Sequence, residues 1–278
     1  MHLRRGEIML VATVAMLLFG GGAILIAESS AQRSAPPVLT VLSPSPTPTR
    51  GDRRVVVIGD SVATGSHCDC TAYGQLVANE LAHADGRRTT TTNLAKAGAT
   101  TSSVLSELSQ PAVMARLRGA EVVIVTVGAN DFEQSQQLDC GPGVSMACYA
   151  LSLETLSDRI AQILSRIQSL SGAQRSRVVV TGYWNVFLDG QVGRSHGVAY
   201  VRDSVELTQR VNSIIATQVA AFQGVYVDLY SAFRGDNDAD DTALLAADGD
   251  HPNAAGQTVI ARAITHGLAA APSMHSQP

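Results

Sequence analysis

Apolar positions along the chain fall into two kinds of segment that alternate from about residue 54 onward. Short runs at 54–59, 90–95, 121–127, 177–182 and 224–229 have the length of strands, most of them β-branched and buried in composition. The segments 72–85, 101–117, 149–171, 202–222 and 254–270 repeat apolar residues at helical spacing. Strands and helices in alternation predict βαβ units, and therefore an α/β domain of three layers, a parallel sheet with helices on both faces. Five strands at this spacing fit a flavodoxin-like order, in which the loops at the carboxyl edge of the sheet receive the ligand.

The first 50 residues break that pattern. Ile8 to Ala27 holds no charged residue and follows Arg4 and Arg5, as an export signal or a single membrane anchor does. Arginines ahead of the apolar run place the remainder of the chain outside the cytoplasm. The length of the run favours a retained anchor. Gly20-Gly21-Gly22 and the small residues Ser29 and Ala31 favour cleavage after Ala31, and both readings stay open. Residues 32–51 contain Ala35-Pro36-Pro37 and Ser43-Pro44-Ser45-Pro46-Thr47-Pro48, the composition of an extended, semi-rigid linker. The expected organisation is a signal or anchor at 1–31, a linker at 32–51, one domain at 52–272 and a disordered tail at 273–278. The domain is expected to be extracytoplasmic and monomeric, secreted or tethered through residues 8–27.

Composition narrows the partners. The chain has 278 residues and a formal net charge of −4. Its first 50 residues contribute four arginines against two glutamates, so the domain itself is more acidic still. A nucleic-acid partner, which calls for a basic face, is not expected. The four cysteines, Cys68, Cys70, Cys140 and Cys148, all lie in the exported part and predict two disulfides of unassigned pairing. One pair follows strand one and the other follows strand three. Those strands are neighbours in a flavodoxin-like order, so bridges between the two loops are geometrically reasonable, and the pairing stays open. The spacing lacks a C-x₂-C pair, which argues against zinc held by the cysteines.

Candidate chemistry sits in four loops, each after a strand or before a helix. Gly59-Asp60-Ser61 ends the first strand and exposes a serine at the carboxyl edge. Asn93-Leu94-Ala95-Lys96-Ala97-Gly98-Ala99-Thr100 ends the second, and Gly98 allows close backbone approach to a ligand. Gly128-Ala129-Asn130-Asp131 follows the third and offers a side-chain amide. Asp248-Gly249-Asp250-His251-Pro252-Asn253 precedes the last helix and presents a histidine three residues after an aspartate. Thr64, Phe132, Tyr183, Trp184 and Phe187 are candidates for lining an acyl or sugar pocket. His67 reads as a loop residue. The acidic run from Asp236 to Asp241 lacks the glycine and glutamate of a calcium loop and reads as solvated.

Together the four loops, in this order, resemble the SGNH/GDSL hydrolase family, named for its Ser, Gly, Asn and His blocks; the resemblance spans roughly Val55 to Ala270. It implies that Ser61 is a nucleophile, His251 its general base and Asp248 the carboxylate behind the imidazole. Asp250, adjoining His251, is expected to reach the ring poorly. The resemblance further implies an oxyanion hole of the Ser61 N–H, the Gly98 N–H and the Asn130 amide. It predicts a serine esterase acting through an acyl-enzyme, with no metal or cofactor, on short or medium acyl esters, acetylated glycans or lipids. An acyltransferase using the same residues and a non-catalytic glycan-binding domain are the rival readings. No Gly-x-Ser-x-Gly elbow is present, so the α/β-hydrolase pattern fits poorly.

Overall fold

A computed structural model of the protein describes residues 51–132, 147–171, 176–185, 187, 189–235 and 240–271. The expected signal or anchor, the linker up to residue 50, Cys140, residues 236–239 of the acidic run and the tail lie outside these residues. Among the described residues no helix is long and apolar enough to cross a membrane.

Five parallel strands form one sheet: β1 (Arg53–Gly59), β2 (Thr89–Asn93), β3 (Val122–Thr126), β4 (Arg177–Thr181) and β5 (Val225–Val227). Their order is β2-β1-β3-β4-β5, the flavodoxin-like arrangement that the sequence predicts. Val55 to Ile58 of β1 and all of β3 are buried, because these central strands are covered on both faces; their side chains are apolar but for Thr126, whose hydroxyl is hydrogen-bonded to those of Tyr73 and Thr181. The threonine-rich β2 lies at an edge, where half-buried β-branched residues suit the pleat.

Nine helices flank the sheet among the described residues: α1 (Ser61–Thr64), α2 (Tyr73–Asp85), α3 (Thr101–Glu107), α4 (Pro111–Arg118), α5 (Ala150–Ser171), α6 (Gly190–Ser195), α7 (Val198–Ala221), α8 (Leu229–Arg234) and α9 (Ala254–Ala270). The pair α2 and α9 covers one face; α3, α4, α5 and α7 pack together on the other. Leu156, Ile160, Ile163, Leu164 and Ile167 make the buried stripe of α5, at the three- and four-residue steps that keep one helix face inward.

The chain starts in the middle of the sheet, runs to the β2 edge, then crosses back to β3 on the other side of β1. That reversal leaves a crevice outside the carboxyl ends of β1 and β3. The two strands approach closely there. Gly59 has φ 149° and pairs with Thr126, whose carbonyl oxygen stands where any Cβ on residue 59 would go. Only glycine fits this corner.

The structure departs from the expected boundaries at Pro111. The single helix expected over 101–117 is two, α3 and α4, because Pro111 has no N–H to donate and forces Gln110 into an extended conformation (ψ 132°). Proline stands at the first position of α4, where its fixed φ is favourable. The short helices α1, α6 and α8, one turn or little more, were not expected. They are too brief to set up a periodic pattern and are held by caps instead: Asp60, Asp189 and Asp228 each accept a backbone N–H at the start.

Candidate active site

Ser61 opens α1 directly after the β1 corner. Asp60 is the cap of that helix, its Oδ1 accepting the Val62 N–H at 3.0 Å. The other carboxylate oxygen, Oδ2, accepts the Tyr183 hydroxyl at 2.6 Å. Burial pushes the Asp60 carboxyl up to about 7, against the hydrogen bonds from Tyr183 and Val62 that hold it down. Tyr183 is itself fixed: its N–H donates to Asn212 Oδ1 and its carbonyl accepts from Asn212 Nδ2, at 2.8 and 2.7 Å. Burial keeps the Tyr183 phenol protonated far above its ordinary range, so it remains a donor.

His251 is presented from the turn between the short 3-10 segment Asp241–Leu244 and α9. An isolated antiparallel bridge joins Leu245 to Pro252, and the His251 carbonyl accepts the Ala246 N–H at 2.7 Å. Asn253 staples the base of this turn. Its Nδ2 donates to the carbonyls of Ala243 and Leu245, while its Oδ1 caps α9 through the N–H groups of Ala255 and Gly256. From behind, the Trp184 indole donates to the Asp250 carbonyl at 3.2 Å.

These supports bring three side chains into a continuous line. His251 Nε2 lies 2.9 Å from Ser61 Oγ, and His251 Nδ1 lies 2.8 Å from Asp248 Oδ2. The second Asp248 oxygen accepts the backbone N–H groups of Asp250 and His251, both at 3.0 Å. Partial burial works to raise the Asp248 carboxyl, but those N–H groups and the ring outweigh it and hold the carboxyl below its ordinary range. An ionised Asp248 fixes the tautomer with hydrogen on Nδ1, which leaves the Nε2 lone pair facing Ser61. Asp250 comes nearer to the ring than expected, with Oδ2 3.6 Å from Nδ1. That is beyond hydrogen-bond reach, and Asp248 holds the bond.

The loops after β2 and β3 are clamped to each other. Asn130 Nδ2 donates to the Ala99 carbonyl at 3.1 Å, which orients the amide and leaves its second hydrogen. Asp131, almost buried, accepts both the N–H and the hydroxyl of Thr101 and lies 3.5 Å from Arg159. Gly98 turns with φ 75° in an exposed loop anchored to β1 by the bond from Lys96 N–H to the Gly59 carbonyl.

Several expected roles meet a different environment. Tyr183 and Trp184 are fully buried, and Phe132 and Phe187 nearly so, which takes them out of any pocket lining. Trp184 stacks on Phe233 with ring centroids 4.5 Å apart, and Phe132 packs edge-on against Tyr149 and Phe187. An aromatic run straight after a buried strand is drawn into the core, because its apolar area is worth more there than at an open edge. Thr64 is likewise engaged internally, its hydroxyl donating to the Ser61 carbonyl at 2.8 Å and lying 2.6 Å from Ser66 Oγ. The cysteines also differ: Cys68 bonds to Cys70, with Cα atoms 5.1 Å apart, so no bridge runs from this loop to the next. Asp69 at φ 47° makes the three-residue closure, a conformation that aspartate tolerates better than most residues. Cys148 is disulfide-bonded as well.

Sequence reasoning missed the Asp60–Tyr183 pair, the Asp131–Thr101 clamp and the position of His67. The imidazole of His67 stacks on that of His251, centroids 4.5 Å apart at 22°, and its Nδ1 lies 3.3 Å from Asp248 Oδ2.

The sequence profile of the GDSL-like lipase/acylhydrolase family matches residues 57–259. No curated protein matches the chain. Among solved structures, the lipase Lip_vut3 from a goat rumen metagenome is similar at 19% identity with a TM-score of 0.65, covering 77% of this chain and 97% of that one. Phospholipase A1 from Streptomyces albidoflavus is similar at 23% identity and TM-score 0.58, covering 77% and 99%. An acetyl xylan esterase from Geobacillus stearothermophilus is similar at 18% identity and TM-score 0.56, covering 78% and 95%.

Proposed function

Since the chain belongs to the GDSL-like lipase/acylhydrolase family and is accordingly a carboxylic ester hydrolase, we propose that it works through Ser61 as nucleophile, with His251 as base and Asp248 behind it. The observation that carries this reading is the unbroken hydrogen-bond line from Asp248 through His251 to Ser61. A serine hydroxyl attacks an ester only when a base within reach takes its proton, and His251 Nε2 is that base at 2.9 Å. The imidazolium that forms is stabilised by Asp248. The charge developing on the ester oxygen meets the N–H groups of Ser61 and Gly98 and the remaining Asn130 amide hydrogen, each such donor being worth roughly 3 kcal/mol in the transition state. The alcohol leaves with the proton from His251, and a water activated by the same imidazole then releases the acid.

We assign short acyl groups, acetyl esters of glycans among them, as the substrate class. Among the described residues the large aromatic side chains near the site are taken up by the core, and the loop after β2 offers polar, exposed residues such as Lys96. The similar structures include both a lipase and an acetyl xylan esterase, so the fold serves either length of acyl chain. Export is part of the proposal. The charge-free run after Arg4 and Arg5 directs it, and the Cys68–Cys70 bond fits an oxidising compartment.

Hydrolysis of a p-nitrophenyl ester series, from acetate to long acyl, by wild type and Ser61→Ala tests this reading. The expected result is a maximum at the short end and loss of turnover in the variant. Undiminished turnover in Ser61→Ala refutes the mechanism; a maximum at long chains refutes the substrate assignment. Release of acylated polyol in place of acid, with a polyol added, assigns the same residues to acyl transfer.

A further inference from the structure

Two imidazoles and one carboxylate converge beside the Ser61–His251 contact. Nδ1 of His67 lies 3.3 Å and Nδ1 of His251 2.8 Å from the same oxygen, Asp248 Oδ2. Donor atoms of the three residues all lie within 4.8 Å of one another. His67 is set there by its local backbone: φ is 60°, in the left-handed region, and the next residue enters the Cys68–Cys70 bridge. A tetrahedral zinc ion with nitrogen and oxygen ligands at about 2.0–2.2 Å spaces those ligands roughly 3.3 Å apart. The two spacings to Asp248 lie at and below this value and all three pairs within 4.8 Å, so that a turn of the Asp248 carboxylate, 30% exposed, and of the His67 side chain, 60% exposed, takes up the difference. We propose that His67, Asp248 and His251 form a zinc site with water in the fourth position, and that zinc bound there switches catalysis off.

The reason lies in the tautomer. Without metal, His251 carries its hydrogen on Nδ1, donated to Asp248, and turns the Nε2 lone pair toward Ser61. A neutral imidazole that bonds a metal through Nδ1 carries its hydrogen on Nε2. Zinc therefore displaces the Nδ1 proton to solvent, one proton is taken up at Nε2, and the count on the ring is unchanged. Ser61 Oγ then faces a donor. The lone pair needed to remove its proton is gone, although the Ser61–His251 distance can stay as it is. Asp248, which supports the imidazolium during turnover, instead neutralises the ion. Histidine and carboxylate ligands of this kind suit zinc among the available divalent metals.

The inhibition rests on the ester-hydrolase reading, whereas metal binding does not. His67→Phe keeps an aromatic ring over His251 but offers no ligand atom, and His67→Ala removes both. Metal-stripped wild type and both variants would be titrated with Zn²⁺ during p-nitrophenyl acetate hydrolysis. Tetrahedral Co²⁺ absorption would be read in parallel on the same proteins and on Ser61→Ala. Wild type should be inhibited, reversibly on adding chelator, and the half-inhibiting zinc concentration should rise at least about tenfold in both His67 variants. Their metal-free kcat/KM should stay within about threefold of wild type. Tetrahedral Co²⁺ bands should appear in wild type and Ser61→Ala and vanish in His67→Phe. Equal zinc inhibition in wild type and His67→Phe overturns the proposal, as does the lack of tetrahedral bands in wild type. Bands that depend on His67 in a protein hydrolysing no ester would uphold the site and sink the ester-hydrolase reading.

Discussion

Replacing Tyr183 with phenylalanine removes one oxygen from a fully buried position and leaves the ring packing edge-on against Trp184 unchanged. That oxygen is the donor to Asp60 Oδ2 and lies 3.4 Å from the Ala129 N–H. A neutral hydrogen bond contributes about 1 kcal/mol and one to an ionised group about 1.5–3 kcal/mol, so the loss depends on the charge of Asp60. Its carboxyl ionises at about 7 in the folded protein, raised from an ordinary carboxylate value by burial. A raised acid holds its proton in the native state above the pH at which the unfolded chain releases it. Stability therefore falls as pH climbs to about 7, by roughly 4 kcal/mol for this one group. The Tyr183 bond limits that fall by favouring the charged form, and losing it pushes the carboxyl higher still. Tyr183→Phe should cost about 1 kcal/mol at about pH 5.5 and about 2–3 kcal/mol at about pH 8.5, read from urea unfolding at matched m-value. In an Asp60→Asn background the two values should converge. An equal loss at both pH values in the wild-type background would refute the reasoning, since the bond would then not discriminate between carboxyl and carboxylate.

Other perturbations separate orientation from scaffolding. Asp248→Asn should lower kcat by about 10³-fold or more with KM little changed, because the amide favours the wrong imidazole tautomer; steady-state ester kinetics retaining over a tenth of kcat would contradict the assignment. Asp131→Ala strands the buried Thr101 hydroxyl and N–H, and should lower stability by about 2 kcal/mol and kcat more than KM, measured by unfolding and turnover together. A full kcat in that variant would show that the clamp does not position Asn130. Gly59→Ala drives a methyl into the β3 backbone and should lower stability by more than about 4 kcal/mol, so that soluble, cooperatively melting protein is not recovered; a normal melt would mean that the two strands separate freely.

The sheet was legible because its central strands are β-branched runs bounded by turns, and strands buried on both faces leave that mark in sequence. Helix faces were legible wherever they exceed three turns, as in α5. Pro111 was legible in principle, since proline reports a helix start by its chemistry, yet the apolar spacing on either side of it masks the break. The serine, asparagine and histidine loops stand out as short polar clusters at strand ends, and the structure assembles Ser61, Asp248 and His251 into one hydrogen-bonded line. What no local pattern encodes is partnership across the fold. Tyr183 meets Asp60 over 123 positions, and nothing near Tyr183 in the sequence separates a buried hydrogen-bond donor from a pocket wall. The Cys68–Cys70 bond depends on a left-handed Asp69, and residue spacing alone does not reveal it.

Ser61 and His251 stand 190 residues apart in the chain, one just after the first strand and the other just before the last helix. Closing a loop of that length costs roughly 5 kcal/mol of chain entropy, which a single hydrogen bond does not repay. The pairing therefore follows completion of the sheet and the docking of α9, whose first turn Asn253 caps while it staples the His251 turn. No shorter nascent chain can hold His251 against Ser61. On the proposed mechanism the enzyme is inert while its chain is being synthesised, and ester hydrolysis begins only once α9 has docked.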